Sequence, residues 1–532
     1  MQQGSQTGDY QDHGYDITTL SAIQNPLMIY LRKAYTAEMY FTDPVTTVLS
    51  IVTCVFLAIG LYGRKRKVHP NYPPGPPRLP FIGNMHMIHV SRPHLTFHKL
   101  AEKYGPIYSV QIGAQEMVVL CGHETIKEAL VNHAEEFSGR PVVPALFDLS
   151  NGHVSVLLSD SNNWKTMRRF TLSTLRQLTM GNKSLEDNFV EEGRHLVKAF
   201  KAYKGKPFDD LVPLTAAAVN NMMFILTGNR LDYDDPKLHK LATLPSESVR
   251  IVGTLMALLY NAFPTLMRWM PGSHKDMSAY ASGIYDFARE TLMEQKKHLD
   301  VSDQRSLIDI FLVRQKEEKP DSELYIPDDS ILTIIVELFV AGFEASSVTV
   351  QWGLLLMMKY PEIQKNVQNE IDKVIGSGEP CLAHRKQMPY TNAVVHEIQR
   401  FVNVTPTGVP RRTTVDVTLK GFFLPKGTYI LPLLHSVLRD KEYFEKPDEF
   451  YPQHFLDSDG NFVKNEAFLP FSSGKRSCVG ENLAKMKLFL LFTTLVQNFT
   501  FHPPPGAKLD LTSTVGFTAC PQQHEICAVS RS

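Results

Sequence analysis

Apolar residues recur every three or four positions along much of the chain, the spacing of one face of an amphipathic helix. This pattern predicts helices at 93–104, 122–135, 161–180, 185–203, 211–227, 237–262, 275–299, 304–315, 327–359, 361–375, 390–402 and 480–497. Alternating residues and frequent β-branching predict strands at 107–121, around 409–419, at 427–431 and near the C-terminus. The chain is therefore predicted to be mainly α, with a small β-rich part.

One apolar segment near the N-terminus carries no charge. It runs from Val45 to Tyr62, and as a helix it would be about 27 Å long, just enough for the hydrocarbon core of a bilayer. The basic cluster Arg64 to Lys67 follows directly, and the positive-inside rule places it, and all that follows, on the cytoplasmic side. We predict a transmembrane signal anchor at 45–62. A cleaved secretory signal and a buried core helix are the alternatives.

The segments on either side of this anchor differ in composition. Residues 1–44 are mostly polar and are predicted to be a lumenal, partly disordered extension; alternatively, translation starts at Met39. Residues 63–84 combine the basic cluster with a proline-rich stretch, which predicts a semi-rigid spacer because proline restricts the backbone. An SH3-type ligand or a simple loop is the alternative reading of that stretch.

Charge and cysteine content exclude some classes of protein. The chain has 55 basic and 55 acidic residues, so it lacks the basic excess typical of proteins that bind nucleic acid. Its six cysteines are scattered and form no Cys-x-x-Cys pair, which argues against structural zinc and gives no reason to expect disulfides. We therefore expect the main part of the chain to face a reducing compartment.

One motif near the C-terminus points to a specific chemistry. Phe471, Gly474, Arg476, Cys478 and Gly480 follow the pattern F-x-x-G-x-R-x-C-x-G, just before the last predicted helix. A helix N-terminus favours a thiolate, and the two glycines permit a tight turn and close approach to a flat ligand. A buried structural cysteine is the alternative. The motif resembles the haem-ligand loop of the cytochrome P450 monooxygenases, in which the cysteine thiolate is the fifth ligand of the haem iron.

The resemblance implies a fold, a cofactor and a set of partners. The fold would be that of a cytochrome P450, with residues 85–532 as the catalytic domain. Haem b would be bound through Cys478, with Phe471, Arg476 and Gly480 around it. The co-substrate would be O2, and NADPH electrons would arrive through NADPH–cytochrome P450 reductase, with cytochrome b5 as an optional second donor.

A closer resemblance concerns the substrate and the location in the cell. The segments Phe137 to Pro141 and Trp164 to Leu172 are similar to those of vertebrate family-2-type microsomal enzymes. This similarity implies a protein of the endoplasmic reticulum membrane, with its catalytic domain in the cytosol. It also implies a small lipophilic substrate.

A charged pair about eighty residues before the cysteine motif has two readings. Glu397 and Arg400 are three residues apart on one predicted helix face, which alone is typical of a surface ion pair. Their position before the segment Pro447 to Phe455 resembles the buried Glu–Arg network of P450 enzymes. His454 would be its third member. The resemblance implies structural support for the haem loop.

Three cations from distant segments resemble the family's ligands for the haem propionates. Trp164 and Arg168 lie one turn apart on a predicted helix, Arg411 follows a Val-Pro pair, and Arg476 belongs to the cysteine motif. Two buried propionate charges are costly unless they are paired. The resemblance therefore implies that Arg168, Arg411 and Arg476 hold the propionates, together with Trp164.

The segment Ala341 to Ser347 resembles the family's oxygen-binding helix but departs from it at one position. Glu344 matches the acid of the A-G-x-[DE]-T-T pattern, whereas Ala345 stands where a threonine is usual. The resemblance implies catalytic roles in proton delivery for Glu344 and, in place of the threonine, for Ser346. Ala345 also leaves open a reductase-independent isomerase or peroxygenase acting on lipid hydroperoxides. A non-catalytic membrane haem sensor or binding protein is the alternative from another class.

Two further sets of residues are expected to bind molecules. By resemblance, an apolar substrate pocket would be lined by Phe147, Val154, Phe339, Phe343, Val404, Val409, Val515 and Phe517. Each of these is otherwise an ordinary core residue. A reductase-docking patch would be formed by Lys165, Arg169, Lys475 and Lys485, or these are ordinary solvated surface cations.

Overall fold

The computed structural model describes residues 44–62, 69–150, 156–159, 162–179, 183–319, 322, 325–514 and 516–531. It divides into two compact units, Met1–Val68 and His69–Ser532. In the first unit, the described residues form one helix, α1 (Pro44–Tyr62), at the position of the predicted anchor. Residues 1–43 of the predicted extension 1–44 and the basic cluster lie outside the described residues. The structure shows that this segment is helical. That α1 spans a membrane stays a prediction.

The second unit is mainly helical, as predicted. Its helices are α2 (Pro93–Tyr104), α3 (His123–Lys127), α4 (Pro144–Leu149), α5 (Asn162–Thr179), α6 (Lys183–Ala202), α7 (Leu211–Thr227), α8 (Pro236–Val252), α9 (Leu255–Ala262), α10 (Pro264–Met267), α11 (Asp276–His298), α12 (Leu307–Glu317), α13 (Asp328–Lys359), α14 (Pro361–Val374), α15 (Pro389–Val402), α16 (Leu434–Leu438) and α17 (Glu481–Asn498). Several begin at a proline, which suits the first helical turn because its missing N–H has no partner there.

Three small sheets complete the described part of this unit. Strands β1 (Ile107–Ile112), β2 (Gln115–Leu120), β3 (Arg411–Arg412) and β6 (Tyr429–Pro432) form a four-stranded sheet in the order β1-β2-β6-β3. Strands β1 and β2 are antiparallel, β2 and β6 are parallel, and β3 and β6 are antiparallel. Two-stranded sheets join β4 (Val417–Leu419) to β5 (Phe422–Leu424) and β7 (Phe499–His502) to β8 (Cys527–Ser530). Sequence reasoning missed β5.

The long helix α13 runs through the largest hydrophobic core. Among the described residues it is the one helix long and apolar enough to cross a membrane, but 67% of its apolar window is buried inside the protein. Residues of α7, α12, α14, α15 and α17 share its core. Burial on several faces explains why α13 is apolar almost all round, so here its composition indicates a core helix.

One segment predicted as a single helix is interrupted in the structure. The segment 237–262 forms two helices, α8 and α9, which separate at Gly253 and Thr254. A Cβ on Gly253 would overlap the backbone of Gly516 in the C-terminal loop. The two backbones can approach because both residues are glycines, and Thr254 then caps α9 by accepting from the Ala257 N–H. This packing over long sequence distance was not visible in the local pattern.

Candidate active site

The cysteine motif forms a tight turn followed by a helix. Gly474 begins a single 3-10 turn, Gly474–Arg476, with a φ of 72°. A Cβ there would overlap the carbonyl oxygen of Leu130, so both the space and the backbone require glycine. The Cys478 N–H donates to the Phe471 carbonyl at 3.0 Å, and α17 begins three residues after the cysteine. The turn thus places the Cys478 thiol at the N-terminal end of α17.

The Cys478 thiol is accessible although protein surrounds it. Its side chain is exposed, yet the surrounding protein is close enough for desolvation to raise the pKa of the thiol. The Gly480 N–H and Arg168 act in the opposite direction and lower this pKa, because both stabilise a thiolate. The sulfur is therefore available to a ligand.

Arg476 and Trp164 hold each other beside this loop. The guanidinium carbon of Arg476 lies 3.6 Å from the centroid of the Trp164 ring, as in a stacked cation–π pair. Arg476 Nε donates to the Ser138 carbonyl at 2.9 Å and Nη2 to the Ser159 carbonyl at 2.5 Å. Both residues are buried. Arg476 thus brings positive charge to the cysteine loop while its N–H groups bind backbone.

Two other predicted arginines lie in the same cluster. Arg168 donates through Nη2 to the Ser477 carbonyl at 2.5 Å. Arg411 donates through Nη2 to the Arg476 carbonyl at 3.2 Å, but its Nε and Nη1 are buried without a hydrogen-bond partner. Burial, followed by Arg476 and Arg168, lowers the pKa of Arg411 to about 9. Buried N–H donors beside other cations are costly unless an anion binds there.

Sequence reasoning missed the fourth arginine of this cluster, Arg140. It is 5% exposed, and it donates through Nη1 to the Pro410 carbonyl at 2.5 Å and through Nε to the Leu157 carbonyl at 2.8 Å. Burial is the main cause that lowers its pKa, and Arg411, Arg476 and Arg168 lower it further. Arg140 stands in a quoted segment of the sequence, Phe137 to Pro141, but nothing local indicated that it would be buried among cations.

Glu397 and Arg400 form the buried network that the family resemblance implied. Both are 0% exposed, and Arg400 binds Glu397 through Nε and Nη2, each at 2.7 Å. The Lys446 N–H donates to His454 Nε2, so Nδ1 carries the ring proton and donates to Glu397 at 3.2 Å. Arg400 also donates to the carbonyl oxygens of Leu438, Pro447 and Glu449, at 2.8, 2.7 and 2.7 Å. The surface-pair reading is therefore wrong.

The middle of α13 presents Glu344 next to the C-terminal loop. Ala341 is exposed and Ala345 is half-buried, although most of this helix is buried, so they face open space. Glu344 is 7% exposed and accepts a hydrogen bond from the Thr518 hydroxyl at 2.5 Å. Burial raises the pKa of Glu344 to about 7, and the Thr518 bond acts to lower it. Thr518 was not among the residues predicted from the sequence.

Ser346 points to a different neighbour. Its hydroxyl donates to the Gly342 carbonyl at 2.8 Å, and the same oxygen accepts from Lys487 Nζ at 2.8 Å. Lys487 lies on α17, is 1% exposed, and burial lowers its pKa to about 7. The structure thus places Ser346 beside Gly342 and Lys487, and it does not pair Ser346 with Glu344.

Comparison with known proteins decides the family. A model of the family described as cytochrome P450 matches residues 73–528. Cytochrome P450 2K6 of Danio rerio is 42% identical over 459 residues, 85% of this chain and 90% of that protein. Cytochrome P450 2C5 of Oryctolagus cuniculus is 41% identical over 490 residues, 92% of this chain and 99% of that protein. Cytochrome P450 2J2 of Homo sapiens is 40% identical over 489 residues, 91% of this chain and 96% of that protein.

The chain belongs to the cytochrome P450 family. Its relatives place it in family 2, and the prediction of a family-2-type P450 monooxygenase is confirmed. Family membership implies a haem-thiolate cofactor. The arginine cluster fits this group, because Arg411 offers buried N–H donors without a partner and also binds the loop that carries Cys478. Family-2 relatives are typically membrane proteins of the endoplasmic reticulum.

The predicted pocket residues of this P450 fall into three groups. Phe147 is 43% exposed, and Val404, Val409 and Phe517 are half-buried, so ligand contact is open to them. Phe339 and Phe343 are 1% and 0% exposed and belong to the hydrophobic core. Both lie about 200° around α13 from Ala341, the residue that faces open space, so they are core residues and not pocket lining. Val154 and Val515 lie outside the described residues.

The predicted docking patch of this P450 lies partly in a surface groove. Five cations and one carboxylate line this basic groove: Lys165, Arg168, Arg169, Arg176, Lys475 and Glu135. Glu135 pairs with Lys475 and, at 3.5 Å, with Lys165. Lys485 is not among the lining residues and pairs with Glu481 on α17 at 2.5 Å. The patch is thus shifted from Lys485 towards Arg176.

Proposed function

We propose that this P450 inserts one oxygen atom from O2 into a small lipophilic substrate, with NADPH electrons delivered by NADPH–cytochrome P450 reductase. One observation supports this most: an accessible thiol at a helix N-terminus shares its surroundings with a buried arginine cluster. Haem b, when bound through a thiolate, supplies the redox chemistry that activates dioxygen. The protein holds this group, excludes water and delivers protons.

Each part of the site has a distinct role in this proposal. Cys478 is the metal ligand, and Gly480 and the start of α17 stabilise its thiolate. Arg411 is the principal propionate donor because its buried Nε and Nη1 groups have no other partner. Arg168 and Arg140 add positive charge, as does Arg476 with Trp164 stacked on it. Phe471 positions the loop by accepting from the Cys478 N–H.

The network around Glu397 and Arg400 supports the haem loop without taking part in the chemistry. Arg400 joins α15 to three backbone carbonyls in 438–449, and His454 joins Glu397 to Lys446. These contacts fix the segment that precedes the cysteine motif. Glu344, on the other side of the site, is the proposed proton donor.

The basic groove is the proposed docking surface for the reductase and, as a second donor, cytochrome b5. Arg169 and Arg176 are exposed there, and Arg168, behind them, reaches the cysteine loop through Ser477. Electrostatic complementarity with an acidic partner increases the association rate. Docking here would bring the electron donor to the Cys478 side of the protein.

The proposed location is the endoplasmic reticulum membrane, with a cytosolic catalytic domain. In helix α1, residues 44–57 are exposed except for half-buried Thr47, and most of them are apolar. This is expected for an anchor at 45–62. In the second unit, Leu266, Trp269 and Met270 are 60%, 85% and 44% exposed and form an apolar surface that suits a bilayer. The proposed organisation is a lumenal extension at 1–44, the anchor, a spacer at 63–84 and the catalytic domain at 85–532.

A panel of lipophilic compounds tests this function. Membranes containing the full chain and the reductase are supplied with NADPH and O2, with Cys478→Ala as the control. We expect NADPH- and reductase-dependent oxygenated product from the wild type and none from the variant. The reduced, CO-bound protein should show the red-shifted band of a thiolate-ligated haem. A reduced, CO-bound spectrum without that shift would contradict the proposal.

Ala345 supports a second candidate function. Because this position carries no hydroxyl for proton delivery, the protein would act on lipid hydroperoxides, which need no reductase. This isomerase or peroxygenase activity predicts product from a fatty acid hydroperoxide without NADPH. Product formation that requires the reductase would exclude it.

A further inference from the structure

Glu344 and Thr518 form a close pair between α13 and the C-terminal loop. The Thr518 hydroxyl donates to Glu344 Oε1 at 2.5 Å, and the two residues are 6% and 7% exposed. Glu344 Oε2 is buried and has no hydrogen-bond partner. Since Oε1 accepts this bond, the proton of a neutral carboxyl group resides on Oε2. The free oxygen is thus the one that gives up the proton.

The hydroxyl groups next to Glu344 in the chain bind carbonyl oxygens of the helix backbone. Ser346 donates to the Gly342 carbonyl at 2.8 Å, and Ser347 lies 3.1 Å from the carbonyl oxygens of Phe343 and Glu344. Ser346 is also about 200° around the helix from Glu344. Ala345 has no hydroxyl. Among the described side chains, Thr518 supplies the hydroxyl that binds Glu344.

We propose that Thr518 is a positioning residue that supplies, from the C-terminal loop, the hydroxyl that position 345 of this chain lacks. Glu344 passes the Oε2 proton towards the cavity through water, and its O–H bond breaks as the bond to the water oxygen forms. Thr518 stabilises the carboxylate that remains, which then regains a proton from solvent. This inference rests on the proposed monooxygenase function.

Other titratable groups near Glu344 are few among the described residues. Cys520 lies in the same loop, its Sγ 3.9 Å from the Thr518 hydroxyl oxygen; burial is the first cause that raises its pKa, to about 11, and Glu344 the second. Lys487 contacts the Gly342 carbonyl from α17. Neither group accepts or donates a hydrogen bond to Glu344 in the described structure, so Thr518 is the described side chain that binds its carboxyl group.

The first test measures the protonation of Glu344 directly. Infrared pH titration of purified full-length protein follows the band of the protonated carboxyl group, which Glu344→Gln removes. The wild-type midpoint should lie at about 7. Thr518→Val should raise this midpoint by about one pH unit, because it removes a hydrogen bond that stabilises the carboxylate. Thr518→Ser should restore the wild-type midpoint.

A matched control comes from the same loop. The Thr514 hydroxyl donates to the Cys520 carbonyl at 3.3 Å and does not bind Glu344. Thr514→Val should leave the midpoint unchanged. An unchanged midpoint in Thr518→Val would overturn the proposal, as would an equal shift in Thr514→Val.

The second test measures coupling with reductase and NADPH. Thr518→Val should lower product formed per NADPH about tenfold and release hydrogen peroxide instead, while Thr518→Ser stays near the wild type. Adding Ala345→Thr to Thr518→Val should restore coupling, because the hydroxyl then comes from position 345. Failure of this rescue would assign Thr518 to loop packing alone. If the wild type forms no oxygenated product, the monooxygenase function is refuted. The infrared titration does not depend on turnover and still tests the role of Thr518.

Discussion

Two buried arginines illustrate how one residue type serves two purposes. Arg400 uses all of its N–H donors, on both oxygens of Glu397 and on three backbone carbonyls. Arg411 keeps two buried donor atoms, Nε and Nη1, without a partner. A satisfied guanidinium stabilises the fold, and an unsatisfied one is suited to a ligand with negative charge. The family resemblance predicted a role for each arginine, and the structure shows how the hydrogen bonds of the two differ.

Loss of Arg400 should destabilise the protein strongly. Arg400→Met leaves Glu397 buried without its partner, which costs about 3–5 kcal/mol in the free energy of unfolding. Haem incorporation should fall with it, as measured by the reduced CO-bound spectrum. The control is Arg194→Met, because Arg194 pairs with Glu379 at 2.5 Å while both are more than half exposed. That change should cost under about 1 kcal/mol; equal effects in chemical denaturation would contradict the role of burial.

Glu344 should make stability depend on pH in a particular direction. Its folded pKa of about 7 lies above the ordinary value of 4.5, so the folded state binds the proton more tightly than the unfolded state. Its contribution is therefore fully present below about pH 4.5 and is lost as pH rises through about 7. Glu344→Gln imitates the protonated form. Its stability relative to wild type should therefore be higher at pH 8 than at pH 5. If denaturation curves give the same stability difference between Glu344→Gln and wild type at pH 5 and at pH 8, this prediction is wrong.

Among the elements, the cysteine turn depends on one glycine for two reasons. Gly474 has a φ of 72°, and a Cβ would overlap the Leu130 carbonyl oxygen. Gly427 has a φ of 86°, but a Cβ there would meet nothing within 4 Å. The motif in the sequence identified Gly474 as a turn residue. It did not show that the turn packs against the segment Glu128–Asn132.

This difference predicts unequal effects of the same substitution. Gly427→Ala should cost about 1 kcal/mol of unfolding free energy, the usual strain of a left-handed residue with a Cβ. Gly474→Ala adds a backbone clash and should displace the Cys478 loop, with loss of the thiolate-ligated CO spectrum. Both variants are compared by thermal unfolding and by that spectrum. A normal spectrum in Gly474→Ala would show that the loop tolerates the displacement.

At the scale of the whole molecule, charge is balanced overall but uneven on the surface. The chain has equal numbers of acidic and basic residues, whereas the basic groove combines five cations with Glu135 as its one carboxylate. The arginines and lysines come from α5 and from the cysteine turn. Composition alone excluded a nucleic-acid footprint, and it could not reveal a local patch for a protein partner.

Reversing two charges in this groove should weaken reductase use without changing the haem site. Arg169→Glu with Arg176→Glu should raise the reductase concentration needed for half-maximal turnover, and the difference from wild type should shrink at high salt, where charges are screened. The control Arg289→Glu changes an exposed arginine on α11 outside the groove. Both proteins should keep a normal CO-bound spectrum. Equal reductase dependence in both would place docking elsewhere.

Features that are local along the chain were predictable from the amino-acid sequence. It predicted α2 and α7 at their observed bounds, because apolar periodicity and a proline or glycine at an end are short-range signals. It also identified the cysteine motif and the pairing of Glu397 with Arg400, since both depend on spacing within a single turn or helix. These are contacts between residues close in sequence, for which the backbone geometry is known in advance.

Which distant residues meet depends on the packing of the folded chain. Thr518 and Glu344 are separated by 174 positions, and Lys487 and Gly342 by 145, so no local pattern connects them. The cluster of Arg140 with Arg411 and the break at Gly253 likewise depend on how separate segments pack. Phe339 faces the core for the same reason, because neighbouring helices cover its side of α13. Burial and electrostatics depend on all the surrounding elements, and these come together only in the folded chain.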